Sequence, residues 1–411
     1  MITDVIIIGG GAAGLTAAVY LKKKKPDVSV RILESQARVG KKLSLTGNGR
    51  CNITNKDINL SRYHGDDIEF CRYALEKYDR VFCENFFSEI GVPFVFEGDK
   101  GYPSSLQASS VVDCLRFAAD SLGVITHTET KVTNIMLSGG NYKVISDKVS
   151  FMAKNVIIAT GLYSGGDRLG CDGSMLDILK KAGYKTVKTT PAIVQLKTDT
   201  DIVKQLKGIK VNANVTLKSE NKIIRKEYGE TLFCDYGLSG PPVLQLSRET
   251  ARSGAPFEIS LDIMPDTDFQ TLYNSLLKRA TELSYLKLDE FFTGMLNKRL
   301  GQVILKLAGC KLGESVTTLD PHKTEKIASL IKEFSFKVIG NTGFTNSQVT
   351  AGGLKTSQFN SKTMMSNLNH GLFAVGEILD IDGDCGGFNL QWAWSSAMCA
   401  VDSIIGSGKL K

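Results

Sequence analysis

The residues with the clearest chemical meaning are three glycines, Gly9, Gly11 and Gly14, in the spacing G-x-G-x-x-G. In that spacing the first glycine permits a tight turn, the second lets backbone approach a pyrophosphate, and the third lets a helix pack closely on a strand. The chemistry served is phosphate binding, with the free N–H groups and positive dipole of a helix N-terminus directed at the ligand. Glu34 follows 20 residues after Gly14, where a carboxylate can accept the hydroxyl groups of a ribose. Glycines alone carry little weight, so the elements around them decide. Residues 2–8 (ITDVIII) form a β-branched run typical of a buried parallel strand. Residues 15–24 read as a helix and 28–34 as a second strand, which together make the βαβ frame the motif needs.

Further polar and glycine-rich segments extend the site. Arg38, Lys41 and Lys42 lead into Thr46-Gly47-Asn48 and on to Asn52. Permissive glycines, amides and cations in one loop suit a pyrophosphate and a ribityl chain. Thr160 and Gly161 close the buried strand 154–160, as a second nucleotide contact would. Gly376 and Glu377 follow a strand over 371–375, and the run Asp380–Asn389 leads into a helix, a second glycine-rich start able to place N–H donors beside a ring. Ala13 and Ser35, next to Gly14 and Glu34, fall on the same expected contact surface. A site fed by both ends of the chain points to the longer dinucleotide FAD. No second G-x-G-x-x-G is present, so there is no dedicated NAD(P)H domain; nicotinamide would visit the flavin as a transient donor and leave.

Composition narrows the class. Of 411 residues 42% are hydrophobic and 23% charged, and no apolar run reaches the length of a membrane span. The net charge of +7 is mild for this length, and Lys22–Lys25 reads as the solvated end of a helix, where cations suit the dipole. No RNA-binding motif occurs and the basic residues are spread out, which speaks against nucleic acid and for a small-molecule substrate. The nine cysteines are odd in number and scattered, with no CxxC, and this points to reduced thiols and a cytoplasmic location. The four histidines lie far apart, with no metal-ligand spacing.

The predicted fold class is α/β: a Rossmann-like FAD-binding domain built from both chain ends, residues 1–189 and 349–411. A β-barrel insertion is expected over 190–264 and 333–348, and a helical subdomain over 265–332. Residues 62–90 and 287–308 each read as helical.

Three runs resemble one family: GKKLSLTGNGRCNITN (40–55), GETLFCDYGLSGPPVLQLS (229–247) and GEILDIDGDCGGFNLQWAWSSA (376–397). They are similar to the BaiN-like, or aminoacetone-oxidase, family of bacterial NAD(P)/FAD-dependent oxidoreductases, in the family's motif order and over essentially the whole chain. The resemblance implies three domains and non-covalent FAD. Carried over by motif, it implies FAD contacts at Gly9, Gly11, Gly14, Glu34, Arg38, Lys41 and Lys42. It adds Thr46, Gly47, Asn48, Val132, Gly161, Glu377, Asn389 and Leu390. Members often carry Thr-His where this chain has Cys234-Asp235, so a role for that histidine does not transfer.

Catalytic groups are less marked. Tyr102 could donate a proton to a reduced enone, or simply pack beside Pro103. Asp235 and Tyr236 could face a substrate or sit in a solvated turn, and the insertion is expected to cover the flavin ring. Arg50 could lower the Cys51 pKa, although a structural thiol is the simpler reading; Trp392 and Trp394 read as core. Three activities stay open: reduction of an unsaturated ketone, oxidation of a small amine by O2, and a flavin-bearing RNA-associated protein with little turnover.

Overall fold

The computed structural model describes residues 2–220, 222–252, 256–408 and 410. The chain divides into two compact units: residues up to Pro191 together with those from Phe344 onward, and Ala192–Gly343.

In the first unit the run Ile2–Ile8 is the central strand of a seven-stranded sheet. Val5 to Ile8 are almost wholly buried, which is why this strand is an unbroken apolar run instead of an alternating one. It pairs in parallel with Val30–Leu33 on one side and Ser150–Ile158 on the other. Ile125–His127 extends the sheet in parallel beyond Val30–Leu33, and Leu372–Ala374 joins the C-terminal half of Ser150–Ile158. The hairpin of Val132–Ser138 and Asn141–Ser146 adds an antiparallel edge. The helix Ala12–Lys24 crosses from the first strand toward the second, ending in Lys22, Lys23 and Lys24 as the dipole favours. The C-terminal helix Phe388–Gly406 packs on it, with Trp392 and Trp394 buried in the core as expected.

The second unit holds a closed six-stranded barrel, ordered Leu196–Thr198, Gly237–Ser239, Lys222–Phe233, Lys210–Ser219, Phe257–Asp262 and Phe334–Asn341. Helices Phe269–Glu282, Lys298–Leu307 and Pro321–Lys332 share one apolar core with it, including Phe291, Phe334 and Phe336. The expected architecture, a Rossmann-type domain made from both termini with a barrel and helices inserted, is what the chain forms.

Two local expectations are corrected. Residues 62–90 are not one helix. Tyr63–His64 pairs as a strand with Asp382–Gly383, a 3-10 turn at Ile68–Cys71 follows, and α-helix begins only at Arg72–Lys77 and again at Arg80–Glu89. Asp79 separates the two helices and caps the second, accepting from the Phe82 N–H at 2.8 Å. Within 287–308 only Lys298–Leu307 is α-helical, started by the Asn297 side chain, which accepts from the Arg299 and Leu300 N–H groups.

Candidate functional site

The turn after the first strand is built by steric necessity. Gly9 has φ +101°, and a Cβ there would lie 2.6 Å from the Ala159 carbonyl oxygen. A Cβ on Gly14 would sit 1.9 Å from the Gly9 carbonyl oxygen, so only glycine lets helix and turn close. Gly11 differs: a Cβ there meets nothing within 4 Å. It faces open space at the start of a helix whose first turn has neither a capping side chain nor an acid. The first amides of that helix therefore point outward without intrahelical acceptors. Ala13 is buried in this turn, and a Cβ on Gly376 would come 3.3 Å from its methyl group, which brings the C-terminal segment to the start of the first helix.

Glu34 ends the second strand with its carboxylate already oriented. Its Oε2 accepts from the Gly10 N–H at 2.8 Å and its Oε1 from the Gln36 N–H at 2.7 Å, with the Ser35 hydroxyl at 3.3 Å. The Thr130 N–H donates to the Glu34 carbonyl, and Val132 follows two residues later, buried and paired with Ser146. Lys41 Nζ donates to Gln36 Oε1 at 2.8 Å. Arg38 is exposed and makes no ion pair among the described residues.

Lys42 and Glu377 form an ion pair at 2.5 Å, and Glu377 Oε1 also accepts from the Thr350 N–H at 2.9 Å. Burial opposes the charge of Lys42, but the Glu377 carboxylate holds its pKa above the ordinary lysine value. Gly161 adjoins this pair, with Glu377 Oε2 3.6 Å from where its Cβ would be, and the Thr160 hydroxyl donates to the Gly161 carbonyl. Cys171 lies close by. Burial pushes its thiol up to about 11 against the pull of Lys42, so it is a neutral thiol at neutral pH.

The loop after Lys42 turns on Gly47 and Asn48, both left-handed at φ +58° and +55°, behind the Thr46 hydroxyl, which donates to Leu43. Asn52 Oδ1 is buried without a hydrogen-bond partner, and a Cβ on Gly387 would lie 2.8 Å from it. Gly387, φ +100°, begins the C-terminal helix with no side-chain cap. Asn389 shapes the turn before that helix: its Oδ1 accepts from the Gly383 N–H at 2.8 Å and its Nδ2 donates to the Gly383 carbonyl at 2.7 Å. Leu390 packs half-buried against the core. Cys51 is fully buried, which pushes its thiol up to about 12, while Arg50 pairs with Glu97; the structural reading of this cysteine holds.

Tyr102 lines a cavity of about 570 Å³, bounded also by Arg50, Arg62, Lys100, Cys385 and Phe388. The Arg50 guanidinium lies 4.4 Å from its ring centroid. Burial raises the Tyr102 pKa, Arg50 opposes this, and the net shift is upward. Asp235 lies in the other unit, exposed and ion-paired with Lys207 at 2.7 Å, which holds its carboxyl below the usual range. Tyr236 beside it is half-buried, and burial raises its pKa, with Cys234 and Asp235 adding to the rise.

The sequence argument passed over Arg62 and His64, and took in Asp384 only as part of the glycine-rich run Asp380–Asn389. Asp384, 5% exposed, lies 2.8 Å from His64 Nε2 and 3.6 Å from Arg62. No local signal marks partners some 320 positions apart; only the long-range strand pairing joins them.

These features fit a dinucleotide with a polar ring. Two uncapped helix starts present free amides, Gly11 opens on space, and Asn52 offers a buried acceptor without a donor. No group of His, Cys, Asp and Glu among the described residues could hold a metal ion, and none of their helices is long and apolar enough to cross a membrane.

The profile of the HI0933-like protein Rossmann domain matches residues 3–403. The chain is 33% identical over 397 residues to a 3-dehydro-bile acid delta(4,6)-reductase of Clostridium scindens, covering 96% of this chain and 97% of that protein. It is 28% identical over 406 residues to a ribosomal RNA dihydrouridine synthase of Haemophilus influenzae, covering 97% and 98%. Among solved structures it is similar to a 3-ketosteroid delta1-dehydrogenase from Sterolibacterium denitrificans, at 12% identity, TM-score 0.50 and coverage of 98% and 99%, a likeness of fold.

Proposed function

The chain belongs to the HI0933-like family, and from that premise we propose that it is an FAD-dependent reductase of carbon–carbon double bonds conjugated to a ketone, with NAD(P)H as transient donor. The observation that carries the reading is the cradle at Gly9, Gly11 and Gly14, with Glu34 locked beside it, in a chain one-third identical along its length to a reductase. The name of that relative puts double bonds at positions 4 and 6 of a 3-ketone.

FAD, when bound, supplies the hydride for such a bond. The chain does the rest. The amides of the first helix hold the pyrophosphate beside Gly11, and Arg38 and Lys41 add positive charge. Glu34 receives the ribose hydroxyls through the lone pairs that Gly10 and Gln36 leave free. Thr46–Asn48, Asn52 and the start of the C-terminal helix at Asn389 and Leu390 would hold the ring. Tyr102 would supply the proton to the α-carbon of the substrate; its pKa is raised, so it stays a phenol at neutral pH, and solvent would restore the proton. The cofactor is held without a covalent bond, and the nine free thiols suit a reducing, cytoplasmic setting.

A second reading has one observation in its favour, the Haemophilus relative named as a ribosomal RNA dihydrouridine synthase. The 5,6 double bond of uracil is also conjugated to a carbonyl, so the same chemistry would act on RNA.

The test is direct. Heating or acid should release FAD, and not FMN, into the supernatant, and anaerobic mixing with excess NADH or NADPH should bleach the flavin. Colour retained in the acid precipitate, or a flavin left oxidised by both nucleotides, would count against the reading.

A further inference from the structure

We infer that Arg50 is the positioning residue for Tyr102: it holds the ring at the cavity wall and places a cation where negative charge develops as the phenol gives up its proton. The assignment rests on the reductase reading, in which Tyr102 is the proton donor.

Two elements meet at this pair. Tyr102 lies on the strand Lys100–Pro103, which pairs with Phe94–Glu97 in a hairpin. Val95 lies directly across from Tyr102 and Glu97 directly across from Lys100, so Glu97 is a diagonal neighbour of Tyr102 on the same face. Arg50 comes from the loop after Lys42. Its backbone N–H donates to the Gly47 carbonyl, and the Ile53 N–H donates to the Gly101 carbonyl at 2.8 Å, which pins the end of that loop beside Tyr102. The Arg50 guanidinium pairs with Glu97 and lies 4.4 Å from the Tyr102 ring centroid. A cation at that distance from an aromatic ring is attracted by it. Glu97 thus aims Arg50, and Arg50 steadies the ring.

The remainder of Tyr102 suits a donor. It is 8% exposed and lines the cavity, yet its hydroxyl makes no hydrogen bond among the described residues. The loop that carries Arg50 also reaches the ring at Gly47, where a Cβ would lie 4.0 Å from Tyr102 Cε1. The ring is held from the side of the loop while the hydroxyl is left to the cavity.

The charges around the ring show what the cation contributes. Burial raises the Tyr102 pKa, and Glu97 and the Cys385 thiol add to the rise; Arg50 opposes them. Asp57 and Arg62 line the same cavity but pair with one another, and Asp99 and Lys100 are neighbours on the hairpin. Without Arg50, proton transfer would leave a phenolate among groups that disfavour it, and a weaker acid would face the substrate.

A double-mutant cycle read in single turnover tests this. The FAD-loaded protein is photoreduced without oxygen, mixed with a 3-keto-4-ene steroid, and followed by flavin reoxidation. Arg50→Gln should slow that step roughly 3- to 30-fold, and Arg50→Lys, which keeps the charge, should retain most of the rate. In the Tyr102→Phe background Arg50→Gln should change the rate by less than about 2-fold, since both changes act on one group. Equal slowing in the two backgrounds would mean that Arg50 only supports the fold, and would overturn the assignment. A second readout needs no turnover. In carbon NMR of ring-labelled tyrosine, the Cζ resonance missing from Tyr102→Phe should titrate at higher pH in Arg50→Gln than in wild type. An unchanged midpoint would also overturn the assignment. If the midpoint moves but Tyr102→Phe reoxidises at the wild-type rate, the pairing of Arg50 with Tyr102 stands and the reading of Tyr102 as proton donor fails.

Discussion

Lys42 and Glu377 stand 335 positions apart in the chain and 2.5 Å apart in space, and their ion pair ties the loop after the second strand to the segment after Leu372–Ala374. The contact joins the two chain ends that build the proposed dinucleotide site. Glu377→Gln should cost roughly 1–3 kcal/mol, between the values for exposed and buried pairs, and should weaken FAD binding as well. A chemical denaturation midpoint and an FAD titration on the same variant would show both effects.

The same pair predicts a pH dependence. The folded-state pKa of Lys42 is raised, so its contribution is complete below the unfolded lysine value of about 10.4 and fades as pH rises through the folded value. The difference in unfolding midpoint between wild type and Lys42→Met should thus be constant from pH 7 to about 10 and shrink above. A difference that disappears between pH 5 and 8 would mean another group carries it.

Gly11 and Gly14 should respond differently to added bulk. A Cβ on Gly14 collides with the Gly9 carbonyl, so Gly14→Ala should destabilise the apoprotein by about 1–3 kcal/mol or more. A Cβ on Gly11 meets nothing, so Gly11→Val should leave apoprotein melting near wild type and abolish FAD binding. Normal FAD affinity in Gly11→Val would place the cofactor elsewhere.

Glu34→Ala should weaken FAD roughly 10- to 100-fold, the value of charge-assisted hydrogen bonds worth about 1.5–3 kcal/mol. Because Glu34 also holds the Gly10 and Gln36 amides, Glu34→Gln should retain part of the loop order and lose less.

Tyr102→Phe should lower the turnover of an enone by about 10²–10⁴-fold, while flavin reduction by NAD(P)H stays near wild type. Asp235→Ala and Tyr236→Phe should keep full FAD content. A several-fold change in KM would assign their turn to the substrate; unchanged kinetics in both would leave it a solvated turn.

Much of the cradle was legible because it is local. Gly9 to Glu34 is one βαβ unit, in which Gly9 and Gly14 answer steric demands set by near neighbours while Gly11 opens on space. The C-terminal contribution was legible for a similar reason, a glycine-rich start to an apolar helix. The cavity was not. Lys100 and Tyr102 owe their shared face to a hairpin, and His64, Arg62 and Asp384 meet only because Tyr63–His64 pairs with Asp382–Gly383. That pairing also broke the helix expected over 62–90: a Cβ on Gly65 would lie 2.2 Å from the Asp380 carbonyl oxygen, a constraint set from over 300 residues away.

The central claim is reduction of a conjugated double bond, and a single-turnover experiment tests it most directly. The FAD-loaded protein is photoreduced without oxygen and mixed with a 3-keto-4-ene steroid carboxylate. The account predicts stoichiometric reoxidation of the flavin together with the saturated ketone as product. A flavin that stays reduced with every enone tried, yet is reoxidised by O2 after reduction by a small amine, with release of hydrogen peroxide, would contradict it and identify an oxidase.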